Sequence, residues 1–133
     1  MNPTILIIED NEKNAYLAGF ILEKSGCKVL EARDGQSGIA LARREKPDLI
    51  LLDIQLPVMD GYAVAKALKE DPDLSSIPIV AVTSYAMPGD RERIMAAGCT
   101  GYMEKPINPQ NFVAEIKNFL PPGMKINTPG EIQ

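Results

Sequence analysis

An acidic pair, Glu9-Asp10, a further carboxylate, Asp53, a hydroxyl, Thr83, and an ammonium, Lys105, each directly follow or close a short run that reads as a β-strand. The clearest run is Leu49-Ile50-Leu51-Leu52, too short for a helix and too unbroken for a strand with one wet face, so it predicts a central parallel strand buried on both sides. Asp53 ends it. The carboxyl ends of such strands form the rim on which open α/β sheets place their ligands, and Leu56-Pro57 and Asp60-Gly61 turn the chain away from that rim. The chain has no histidine, which excludes Ser-His-Asp and Cys-His catalysis, imidazole metal sites, and a role as a phosphohistidine carrier. Carboxylates, hydroxyls and lysine must do the chemistry.

Carboxylates gathered on one rim cannot all stay ionised unaided, because two like charges about 4 Å apart repel by about 4 kcal/mol at an effective dielectric of 20. A proton or a cation must join them. The hard oxygen set of Asp10, Asp53, one backbone carbonyl and waters suits Mg²⁺, with the longer Glu9 acting through water. An acid trio, a cation, a hydroxyl and a lysine are the parts that hold a phosphoryl group on a carboxylate, since phosphoryl transfer needs positioning and charge neutralisation. Asp53 is then the nucleophile, Mg²⁺ and Lys105 stabilise the equatorial oxygens, and Thr83 donates a hydrogen bond. Taken singly, each residue has a plainer explanation: a strand-end Asp is often a turn former or helix cap, which is the reading for Asp34 and Asp60. Agreement between separate strand ends makes the pattern specific.

Those strand ends need an alternating chain to carry them. Thr4 to Glu9 predicts a first buried strand and Cys27 to Ala32 a second, more alternating one nearer the sheet edge; Ile77 to Thr83 and Thr100 to Glu104 predict the fourth and fifth. Between them, helices are expected over Asn11 to Ser25, Gly35 to Lys46, after the Asp60 cap to Asp71-Pro72, and about Gly89 to Ala97. Gly26 and Gly98 supply the stops after the first and fourth, and Gly38 allows close approach to the sheet. Asn108 caps and Pro109 starts the last helix, with Phe112, Val113, Ile116, Phe119 and Leu120 as its apolar stripe. Strand and helix alternate five times, which requires right-handed crossovers and an α/β fold with a doubly wound, five-stranded parallel sheet. In the order 2-1-3-4-5, Glu9, Asp10 and Asp53 share the crevice at the switch point.

At 133 residues and 45% apolar composition the chain fits one domain, expected over residues 1–121, with a polar tail over 122–133 expected to be disordered. A net charge of −4 leaves no basic stripe for a nucleic-acid backbone. Cys27 and Cys99 lack CxxC spacing and read as small buried hydrophobes of a reducing compartment. The N-terminal apolar run is too short for a signal peptide or membrane span, so a cytoplasmic protein is expected; it is expected to act as a monomer.

Glu9-Asp10, Asp53 in LILLDIQLPVMDG, Thr83 in VAVTSYAM and Lys105-Pro106 in GYMEKPI together resemble the receiver domain of bacterial response regulators, over Thr4 to Leu120. Within it, EDNEKN, DIQLPVMDG and AMPGDRERIMAAGCTGYMEKPI are most similar to stand-alone, DivK-like regulators of the CheY-like superfamily. The resemblance implies phosphorylation of Asp53 from a histidine kinase or histidine phosphotransfer protein. It also implies Mg²⁺ at Glu9, Asp10, Asp53 and the Gln55 carbonyl, and a cis bond before Pro106. It implies a switch in which Thr83 moves toward the phosphoryl group and the Tyr102 ring turns inward. The face of the fourth helix, fifth strand and fifth helix is thereby remodelled for a downstream protein target. Gln55 and Tyr85 flank the phosphoryl group in the family and tune its hydrolysis, with bulky Tyr85 expected to hinder water. The departure from the commonest pattern is Glu9, where many members carry Asp.

Two other classes use similar parts. A haloacid-dehalogenase-type phosphatase also has a strand-end Asp nucleophile, Mg²⁺, Thr and Lys, but needs a second Asp two positions on as general acid, and here that position is Gln55. A flavodoxin-like cofactor binder needs a glycine- or hydroxyl-rich loop after the first strand. Glu9, Asp10 and Glu12 stand there instead and would repel phosphate.

Overall fold

In the computed structural model, which describes residues 2–84 and 88–126, the run after Asp48 forms a strand buried along its whole length, β3 (Leu49–Asp53). It pairs in parallel with β1 (Thr4–Ile8) on one side and β4 (Ile79–Thr83) on the other. β2 (Lys28–Ala32) lies outside β1 and β5 (Gly101–Glu104) outside β4, giving one parallel sheet in the order 2-1-3-4-5. Both β3 and β4 are apolar on both faces because helices cover both faces.

Alternation along the strands divides the core. Leu6, Ile8, Ile50 and Leu52 pack with Ile39 of α2 (Gly35–Glu45), Val64 and Leu68 of α3 (Gly61–Glu70), and Ile94 of α4 (Pro88–Ala96). Ile5, Ile7, Leu49 and Leu51 face the other way, onto Leu22 of α1 (Glu12–Lys24) and Phe112, Val113 and Ile116 of α5 (Pro109–Phe119). A one-residue slip in β1 or β3 would exchange the two sets, so the register is strongly specified.

Local sequence starts the helices where expected. Asn11, Asp34, Asp60 and Asn108 each accept a backbone N–H of the first turn on the side-chain oxygen, from Asn14, Ser37, Ala63 and Gln110 respectively. A Cβ on Gly38 would lie 2.5 Å from Ile8 Cδ1, so the absence of a side chain there lets α2 settle against β1. Some boundaries move inward by a residue or two. β1 ends at Ile8, although the Glu9 N–H still donates to Ala32 O at 3.0 Å, and β4 begins only after Pro78, which has no N–H to give the ladder. Past α5 the chain turns at Gly123, and Ile126 is buried in the layer formed with α1 and α5. No helix among the described residues is long and apolar enough to cross a membrane.

Candidate functional site

The register Ile8↔Leu52 places the residues just after β1 beside the end of β3. One carboxylate oxygen each from Glu9, Asp10 and Asp53 lies within 4.8 Å of the others. Asp53 is only 3% exposed and Glu9 6%, whereas Asp10 is open to solvent. From the end of β5, Lys105 Nζ reaches Asp53 Oδ1 at 3.0 Å and Glu9 Oε1 at 3.4 Å. Thr83, buried at the end of β4, completes the set, since Asp53 pairs with Val82 in the ladder and Thr83 with Glu104.

The backbone holds the carboxylates in place. The Gln55 N–H donates to Asp53 Oδ1 at 2.9 Å, and the Asn11 N–H to Glu9 Oε2 at 3.2 Å. A Cβ on Gly61 would overlap the backbone of Asp53 and Ile54, so only glycine at the start of α3 lets that helix begin so close behind Asp53. The loops after β3 and β4 are joined by the Ser84 N–H donating to Gln55 Oε1 at 3.3 Å.

Charge is unbalanced here. Among the described residues, Lys105 is the one cation that pairs with the cluster, reaching two of its three carboxylates, and Glu9 holds its proton to about 7. Burial is the main cause, followed by its hydrogen bond with Asp53 and that residue's charge; the Asn11 N–H and Lys105 act in the opposite sense. A cluster of hard oxygens with too little positive charge, one member of it open to water, fits a divalent cation that keeps part of its hydration shell.

The response regulator receiver domain family matches residues 5–117. The chain belongs to that family. It is 46% identical over 120 residues to the polar-differentiation response regulator DivK of Brucella anthropi, an alignment covering 90% of this chain and 98% of that protein. Among solved structures it is similar to Vibrio cholerae chemotaxis protein CheY4, with a TM-score of 0.87, 27% identity, and coverage of 90% and 100% of the two chains. It is also similar to the receiver domain of the Pseudomonas aeruginosa sensor histidine kinase PA1611, with a TM-score of 0.82, 31% identity, and coverage of 90% and 98%. That structure holds a magnesium ion in its active-site cleft. The chain is thus a phosphoaccepting signalling module.

Around this receiver domain's acidic centre, the Lys105–Pro106 peptide bond is cis. Tyr102 lies half-buried in β5, opposite Ala81 of β4, with the guanidinium of Arg91 over its ring at 5.2 Å. Tyr85 lies outside the described residues. A cleft of about 310 Å³ opens beside the centre between α1 and the segment after β5, lined by Asn14, Leu17, Ile107 and the charged groups Glu9 and Lys105. Neither this cleft nor the Gln55–Ser84 tie is readable from spacing, because each depends on how loops beyond the strand ends approach one another in three dimensions.

Proposed function

We propose that Asp53 is the phosphoacceptor, taking a phosphoryl group from a phosphohistidine of a sensor kinase or phosphotransfer protein. The P–N bond of the donor breaks and a P–O bond forms on the Asp53 carboxylate, while the donor imidazole leaves with the electron pair. The single observation that carries this is the buried Asp53 carboxylate with Lys105 Nζ at 3.0 Å. That ammonium neutralises an equatorial phosphoryl oxygen, and the Thr83 hydroxyl donates to another. Glu9, Asp10, Asp53 and the Gln55 carbonyl would hold Mg²⁺. When bound, the ion supplies the positive charge that this carboxylate cluster and an arriving dianion lack.

Donor docking is favoured on the side of α1. Tyr16, Leu17 and Phe20 are exposed there, Tyr16 stacks on Phe20 with centroids 6.1 Å apart, and Leu17 lines the cleft that leads toward Glu9 and Lys105. On phosphorylation Thr83 and Tyr102 rearrange, and the face of α4, β5 and α5 engages or releases a protein target. Gln55 and Tyr85 tune loss of the phosphoryl group to water. The module works in the cytoplasm as a monomer and catalyses only its own Mg²⁺-dependent phosphorylation and dephosphorylation. A phosphatase of the haloacid-dehalogenase type would need a carboxylic acid at position 55. Gln55 cannot protonate a leaving group, and its side-chain oxygen accepts from the Ser84 N–H.

Acetyl phosphate and Mg²⁺ test the assignment. One phosphoryl group is expected by intact mass, and peptide mapping of the borohydride-reduced product should place it on Asp53. Modification at another residue would overturn it.

A further inference from the structure

Among the described residues, α4 is the helix with the fewest buried side chains. α1 buries Ala15, Ala18, Gly19 and Leu22, α3 buries Gly61, Val64, Ala65 and Leu68, and α5 buries Phe112, Val113 and Ile116. Among the described residues of α4, Ile94 alone is buried. A helix with so little apolar surface removed from water owes its position to whatever its exposed side chains touch.

Two arginines supply those contacts. The Arg93 guanidinium stands 4.1 Å from the ring centroid of Tyr62 on α3, and that of Arg91 stands 5.2 Å from the ring of Tyr102 in β5. Both are within the range at which a cation is attracted by an aromatic face. Residues two apart on a helix point roughly 200° from each other, so the two side chains clasp neighbours on opposite flanks. The chain enters α4 shortly after Thr83, so any movement of that strand end is passed to the element least able to resist it.

We propose that Arg91 and Arg93 are positioning residues that clasp α4 in its resting seat and thereby set how readily Asp53 is phosphorylated. The proposal rests on the reading of Asp53 as acceptor. Contacts made in the resting conformation and released when α4 shifts hold the population of the shifted form down, and removing them raises it. Both arginines are exposed residues, so water competes and each contact contributes a factor of about two to five.

The test compares initial rates of phosphorylation by acetyl phosphate with Mg²⁺, read by intact mass, alongside amide hydrogen exchange in α4. Arg93→Ala and Tyr62→Leu should each speed phosphorylation about two- to fivefold, and the double variant should match either alone, because they delete one contact. Tyr62→Leu leaves the charge unchanged, so its acceleration separates the clasp from attraction of the anionic donor. Tyr62→Phe keeps the ring and should react at the parent rate, Arg93→Lys should fall between, and Arg91→Ala should multiply the effect of Arg93→Ala. α4 amides should exchange faster in Arg93→Ala and Tyr62→Leu but not in Tyr62→Phe. Folded variants that react at the parent rate or slower, or whose α4 exchange is unchanged, would overturn the proposal. A parent chain that accepts no phosphoryl group would overturn the Asp53 assignment instead, with the exchange result still deciding the clasp.

Discussion

Lys105 Nζ sits 3.0 Å from Asp53 Oδ1 and is shared with Glu9 at 3.4 Å. A lysine divided between two carboxylates, with Asp10 at the mouth, leaves the resting centre short of positive charge. On the proposed assignment, that shortage would prepare Asp53 for a cation and then for a phosphoryl group, and the same imbalance has measurable consequences.

Magnesium should stabilise the fold, because an ion bound by the folded chain alone raises stability by mass action. At ten times the dissociation constant the gain is about 1.4 kcal/mol. Thermal unfolding should shift upward with MgCl₂ and return with EDTA, and Asp10→Asn should weaken the shift. A midpoint insensitive to magnesium would contradict the reading of the acidic cluster.

Both cysteines should be inert in the native protein. Burial pushes the thiols of Cys27 and Cys99 up to about 11, Lys69 only partly opposing this at Cys99. A raised value keeps the unreactive thiol form at pH 8, where an ordinary cysteine is already partly thiolate. Iodoacetamide should therefore add nothing to the folded chain in the time that it adds two groups in guanidinium, as counted by intact mass.

Val58→Gly should stabilise the loop after β3. Val58 has φ 65 and is fully exposed, and the Met59 N–H donates across it to Pro57 O at 2.7 Å. This is a tight turn in the left-handed region that β-branched residues avoid. Glycine relieves roughly 1–2 kcal/mol of steric cost and gives back roughly 0.5–1 in unfolded-chain entropy. A net gain of about 0.5–1 kcal/mol is expected in urea unfolding, and a loss would mean that the Val58 side chain has a partner of its own.

Much of this was legible in the residue order, for physical reasons. Unbroken runs such as Leu49 to Leu52 can be buried only in a sheet covered on both faces, and Asp34, Asp60 and Asn108 declare helix starts by capping chemistry that is local. The gathering of Glu9, Asp10, Asp53, Thr83 and Lys105 follows from parallel strands whose carboxyl ends share one rim. Contacts that depend on tertiary approach were not legible: Arg93 on Tyr62, Arg91 on Tyr102 and Ser84 on Gln55 have no spacing signal.

Ile126 is a case of the same kind. A lone isoleucine between Lys125 and Asn127, with only Met124 apolar beside it, gives too short a pattern to reveal it, yet its side chain is buried in the layer under α1 and α5. Ile126→Ser should cost about 2 kcal/mol in urea unfolding, near the low end for truncating a core aliphatic, because the chain end can relax around the gap. A change near zero would return residues 122–126 to the status of a tail.

The measurement that bears most directly on the central claim is intact mass after incubation with acetyl phosphate and Mg²⁺, for the parent chain and for Asp53→Asn. The parent should gain one phosphoryl group, losing it again over time, while Asp53→Asn, which keeps the side chain's shape and removes its nucleophilic charge, should gain none. Equal phosphorylation of the two proteins would contradict the account.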